Sequence, residues 1–230
     1  MTEAVSSPHP NAWTKLPRWQ LLTIMVGFPL AYWINGLMPW CYGLFVKRDH
    51  SFFIPFGLSV CLLHWASLLA ALYFLRQAGG RPSDLGFHMR VGGMVALVVT
   101  VVVVGGLLIA VRRAWPIFEA PPNDVRFYYP FTLAERCFFI FMALSAGICE
   151  EIVYRGFAIS ALQGRGWRTW QAVVLSTLSF VFIHGIASIF MFPFLFLAGL
   201  LYAGIFLWRK DLTLAIWLHA LFDVMAVMAI

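Results

Sequence analysis

The sequence predicts an all-α fold, a polytopic membrane helix bundle of about seven transmembrane helices, or eight if one long run is broken. Two observations carry that prediction. Of the 230 residues, 62% are hydrophobic and only 11% are charged, whereas soluble domains carry about 25% charged residues. The apolar residues are also gathered into runs near 19–46, 51–75, 91–111, 131–162, 169–187, 190–208 and 212–230. Each is long enough, or nearly so, to cross about 30 Å of hydrocarbon.

Taken in order, residues 1–18 read as a short polar, unstructured N-terminal tail with Pro8, Pro10 and Pro17. Residues 19–230 read as a single membrane domain. The first apolar run is too long for the core of a signal peptide, so it reads as an anchor. Pro29 and Pro39 make a break within it plausible, because proline removes a helical N–H and clashes with the preceding turn. The segment 76–90 is a turn-rich link with Gly79, Gly80 and Pro82. The loop 112–130 carries Trp115, Phe127, Tyr128 and Tyr129, which suit a membrane–water interface.

The net charge of +6 comes from Lys and Arg between the runs, so it reports topology and no nucleic-acid partner. With seven spans, the side holding the tail and the loops 76–90, 163–168 and 209–211 has nine Lys/Arg against about six opposite. The excess places the N-terminus in the cytoplasm and the chain in the cytoplasmic membrane of a bacterium, if that is its source. Cys41, Cys61, Cys137 and Cys149 lie in apolar runs without C-x-x-C spacing. They read as buried structural cysteines.

Ionisable residues are concentrated from 131 onward, which marks 131–230 as the chemically equipped half. The earlier spans read as scaffold or substrate wall, and His64 as a hydrogen-bonded packing residue. Within the later half, Glu150 and Glu151 stand next to each other in the middle of an apolar run. A charge at the centre of a spanning helix costs on the order of 2.5–3.5 kcal/mol on insertion scales, so its presence asks for a reason. Adjacent residues on a helix diverge by about 100°. Glu151 lies one turn from Arg155 and can form an i,i+4 ion pair, while Glu150 has no sequence-local cation. Glu151 and Arg155 therefore read as support and Glu150 as the working acid or base. Phe180/His184 and His219/Asp223 repeat the four-residue spacing on two further runs, and Ser145, Ala146 and Gly147 allow a neighbouring helix to come close.

Two chemistries fit. In one, Glu150 and His184 share a water and direct it at a peptide carbonyl while His219, positioned by Asp223, donates to the oxyanion. In the other, His184, His219 and a carboxylate (Glu150 or Asp223) bind Zn²⁺ and a glutamate serves as base. The strong zinc signal H-E-x-x-H is absent, so no cofactor is favoured and Zn is the alternative. A metal- or proton-coupled transporter with a buried acid–histidine relay is a different reading of the same residues. A non-catalytic binding or immunity factor is a third.

The ordered set Glu150-Glu151-x-x-x-Arg155, Phe180-x-x-x-His184 and His219-x-x-x-Asp223 resembles the CPBP (Abi) intramembrane proteases, which include the type II CAAX prenyl endopeptidases. The "DLGF" at 84–87 is similar to a short segment upstream in that family. The resemblance implies a helical membrane core and an endopeptidase acting on a membrane-associated protein or peptide, lipidated or hydrophobic, at the bilayer. It implies that Glu150 and His184 activate water and that His219 with residue 223 stabilises the oxyanion. The CAAX branch has Asn where this chain has Asp223, and an ionised Asp is acceptor-only. Counting about 1.5 Å per residue from the tail side puts Glu150 about 18–22 Å deep, His219 about 10 Å and His184 about 25 Å. That spread calls for tilted spans or for a 163–168 loop that dips inward.

Overall fold

The computed structural model describes residues 10–38, 52–88, 91–114, 130, 132–185 and 187–226. The chain is a helical membrane bundle, without strands among those residues. We label the helices α1 (Pro10–Lys15), α2 (18–36), α3 (Phe53–Gln77), α4 (Val91–Ala114), α5 (Leu133–Gly164), α6 (Thr169–Phe182), α7 (Ala187–Arg209) and α8 (Thr213–Ala226). Helix α3, most of α4 and α7, and all of α5 are long and apolar enough to cross a membrane. Helices α6 and α8, of 14 residues each, reach only about 21 Å. The loop aromatics at 115–129, together with Pro39 and Cys41, lie outside the described residues.

The tail is not structureless from residue 10 on. Ala12, Trp13 and Leu16 are buried because α1 lies against the end of α5, where the Trp13 ring meets Phe157 edge-on at 5.8 Å. Arg165 Nη2 donates to the Leu16 carbonyl. A tryptophan and two smaller apolar residues spaced along six residues were too short a pattern to read as an element.

The first apolar run is not broken at Pro29: the helix continues from 18 to 36, and the neighbouring helix compensates for the missing bond. Pro29 has no N–H to offer the carbonyl of Met25, four residues before it. The backbone widens into a π-turn over Thr23–Gly27, and Ser179 Oγ on α6 donates to the freed Met25 oxygen at 2.8 Å. A second wide stretch falls in α5, which is likewise unbroken but π-helical over Glu151–Ile159. There Ser176 Oγ on α6 donates to the Tyr154 carbonyl at 2.5 Å. Both wide turns are thus closed by serine hydroxyls of one helix, which ties α2 and α5 to α6 where lipid offers the backbone no partner.

Helices α5 and α8 meet through small residues. A Cβ on Gly147 would lie 2.9 Å from the Ala220 Cβ and 3.0 Å from its backbone nitrogen. The N-terminus of α5 is closed by a reciprocal cap in which Thr132 Oγ1 accepts from Glu135 N–H and Glu135 Oε2 accepts from Thr132 N–H.

The depth problem is resolved by loops other than 163–168. Gly86, with φ +74°, turns the chain so that its carbonyl accepts from Leu212 N–H at 2.9 Å. A Cβ on Gly156 would lie 2.7 Å from the Leu85 carbonyl and 3.2 Å from Leu212 Cδ1. The links before α4 and before α8 therefore sit beside Gly156 in the last third of α5, about 10 Å inward of its C-terminal end. From that level Glu150 is six residues along α5 and His219 six residues along α8, in the same direction. His184 follows α6 by two residues, about as far from Thr169 as Glu150 is from Gly164. The three residues share one level.

Replacing Gly147 with Leu should wedge α8 away from α5, with the cost of about 1–3 kcal/mol typical of overpacking. Thermal unfolding of the purified protein in detergent should show it as a lowered midpoint.

Candidate active site

Glu151 opens the π-helical stretch of α5 and is fully buried. Its Oε1 accepts from Arg155 Nη1 at 2.8 Å and from His219 Nδ1 at 2.8 Å. Arg155, 1% exposed, also reaches the Gly199 carbonyl of α7 at 3.4 Å. Its guanidinium lies 4.1 Å from the centre of the Phe180 ring and 5.4 Å from that of Tyr202. The i,i+4 pair read from the sequence is thus present, but it is one edge of a cluster joining α5, α6, α7 and α8. Gly199 makes room for it, since a Cβ there would crowd Thr177 and Phe180.

This cluster sets the His219 ring. Tyr202 stacks on one face at 5.1 Å and 16°, and Phe180 meets the ring edge-on at 5.8 Å. With Nδ1–H committed to Glu151, only Nε2 is left to face the site. It lies 3.6 Å from Asp223 Oδ2 and 3.9 Å from Glu150 Oε2. The sequence assigned the orienting of His219 to Asp223. In the structure Glu151 makes that bond, and Asp223, whose side chain is one-third exposed, borders the open side of Nε2.

Glu150 is 5% exposed. Its Oε1 accepts from His64 Nε2 at 2.8 Å, while its Oε2 is buried and has no hydrogen-bond partner in the protein. His184 sits in the turn after α6, where Gly185 takes φ +58°. Its Nδ1 donates to the Phe180 carbonyl at 3.0 Å, leaving Nε2 with its lone pair in the neutral ring. Phe180 packs edge-on against this ring at 5.1 Å, and His184 lies within electrostatic range of Glu150, His64 and His219. The arrangement offers two bases, Glu150 Oε2 and His184 Nε2, and a third group, His219 Nε2, that donates when its ring is an imidazolium, at one level of the bundle. That set is able to deprotonate a water and stabilise an anion.

All seven residues singled out from the sequence, Glu150, Glu151, Arg155, Phe180, His184, His219 and Asp223, lie in this one region. Two contributors were missed. His64 on α3 was read as a packing residue, and the helix that lacked a buried acid or histidine, α7, supplies Tyr202 and the Gly199 carbonyl. Neither had a local signal: a lone His and a lone Tyr acquire meaning only from what tertiary packing sets against them. For a metal, no group of three or more His, Cys, Asp or Glu side chains converges as a ligand set among the described residues. Cys61 and Cys149 are free and buried and Cys137 is free and exposed.

Residues 132–225 match the family model of the type II CAAX prenyl endopeptidases, Rce1-like. At family level the match supports an intramembrane endopeptidase of the CAAX type in an integral membrane protein, in agreement with the order of motifs in the sequence. No curated protein and no solved structure gives a significant match.

Removing one partner of a buried ion pair leaves the other charge uncompensated, at a cost of about 3–5 kcal/mol. Arg155→Met should therefore destabilise the protein severely in detergent unfolding. Adding Glu151→Gln to it should recover part of the loss, because the stranded carboxylate is then gone.

Proposed function

We propose that the chain is an intramembrane endopeptidase that hydrolyses a peptide bond at the membrane in a membrane-anchored, lipidated or hydrophobic protein, using water activated by Glu150 and His184. One observation carries the reading: Glu150 is a buried carboxylate with one oxygen held by a hydrogen bond and the other free beside an imidazole that is itself fixed. The reading rests on the Rce1-like match as well, and takes residues 131–230 as the catalytic half.

The water donates to Glu150 Oε2 and His184 Nε2. As its oxygen attacks the scissile carbonyl carbon, Glu150 takes the proton. The carbonyl π electrons move onto oxygen, and the developing oxyanion accepts from His219 Nε2–H, the imidazolium form that donates through both nitrogens. Collapse of the tetrahedral intermediate breaks the C–N bond, and the Glu150 carboxylic acid returns its proton to the leaving amine. The carboxylate is restored and atoms balance. Glu151 and Arg155 support this cycle by holding His219. Asp223, an acceptor when ionised, acts on the imidazolium and not on the oxyanion. The N-terminus is assigned to the cytoplasm on the Lys/Arg distribution.

No step uses a metal. Exposure to 1,10-phenanthroline or EDTA should leave turnover unchanged, and loss of activity restored by added Zn²⁺ would replace this mechanism with the metal one.

Glu150→Gln keeps shape and removes the base, so cleavage should fall by about 10²–10⁴-fold. Terminal-peptide mass spectrometry on membranes carrying the native chain or this variant names the cleaved protein and reads the loss. Unchanged termini in folded protein, with proton- or metal-coupled uptake into liposomes, would favour the transporter reading instead.

A further inference from the structure

His64 belongs to α3, outside the matched segment 132–225, yet it makes the shortest contact to Glu150 of any side chain described, at 2.8 Å. Both groups are nearly sealed, at 3% and 5% exposure, so bulk water does not compete for the bond. We propose that His64 is a positioning residue for Glu150, one that holds Oε1 and thereby turns Oε2 toward His219. This rests on the endopeptidase reading above.

The hydrogen-bond pattern places a proton on one nitrogen of the ring. Nε2 must carry the proton, because an ionised carboxylate only accepts. Nδ1 is buried with no partner in the protein, so a second proton there would create a sealed N–H with nothing to bond.

That donor has something to decide. The last torsion of a glutamate is broad and roughly two-fold, so a carboxylate without a fixed bond samples many orientations. With Oε1 engaged, Oε2 is the oxygen left at 3.9 Å from His219 Nε2. The ring is held from behind as well. Tyr32 on α2 packs against it, with ring centres 5.6 Å apart. Helix α3, read from the sequence as scaffold or substrate wall, thus carries the donor to Glu150, and α2 packs on the far side of that donor.

A buried carboxylate needs some donor for stability alone, so the test must separate orientation from satisfaction. Purified protein in detergent, with the substrate identified by terminal-peptide analysis, is assayed as native chain, His64→Leu, His64→Gln, His64→Asn and Glu150→Gln, each checked for folding by thermal unfolding. A Gln amide nitrogen reaches about where Nε2 sits, whereas an Asn amide stops near Nδ1. The proposal expects His64→Leu and His64→Asn to lower kcat by about 10- to 100-fold, the scale of a small misplacement. KM should stay within about twofold, as for a group that does not bind substrate. His64→Gln should recover most of the turnover. Folded His64→Asn with native kcat, or folded His64→Gln as inactive as Asn, overturns it. If Leu fails to fold, Asn against Gln decides. Glu150→Gln separates the two levels: full turnover there removes Glu150 as the base, and with it the mechanism proposed above, whereas an inactive Glu150→Gln beside a fully active His64→Asn removes only the role of His64.

Discussion

The Glu151 carboxylate, shared between Arg155 and His219, is the interaction around which the rest of the site is arranged. Two charges buried inside a bundle are tolerated only when geometry and further hydrogen bonds offset the loss of water. Here one oxygen takes both donors at 2.8 Å, and the guanidinium spends its remaining capacity on a backbone carbonyl and an aromatic face. Because the partners come from α5, α7 and α8, satisfying the charge also fixes the relative placement of those helices. His219 gains its orientation from a need that is first of all electrostatic.

The adjacent carboxylate has the opposite character. Glu150 diverges from Glu151, as neighbours on a helix must, and meets His64 at 2.8 Å and the far side of the His219 ring at 3.9 Å, with no arginine bonded to it. The two acids occupy one apolar stretch yet receive different surroundings: a permanent cation for one, and neutral or switchable rings for the other. A base that must give and take a proton suits the second setting, and a group that must stay charged suits the first. The wide turn of α5 begins at Glu151 and has its freed backbone closed by Ser176.

Legibility in the sequence followed the range of the interactions. The helical segments were readable because apolar runs between turns are a local property, and Glu151–Arg155 was readable because four residues on a helix are one turn. The ordering of Glu150, His184, His219 and Asp223 marked a shared region without saying how their depths would agree. That agreement comes from the links at 82–86 and 210–212 seating beside Gly156, a contact between residues far apart in sequence that leaves no periodic trace. His64 and Tyr202 escaped for the same reason. The short α1 escaped because its buried face is a tryptophan and two small contacts against the end of another helix, and the exchange of who orients His219 depended on which of two nearby carboxylates the ring would meet.

The most direct test of this organisation is a double-mutant cycle between Glu151 and His219, with Glu151→Gln, His219→Asn and the pair compared by reversible unfolding in detergent or bicelles. A hydrogen bond to a charged group is worth about 1.5–3 kcal/mol, so the account predicts a coupling energy of that order, with the double variant less destabilised than the sum of the singles. Strict additivity of the two substitutions in folded protein would contradict it.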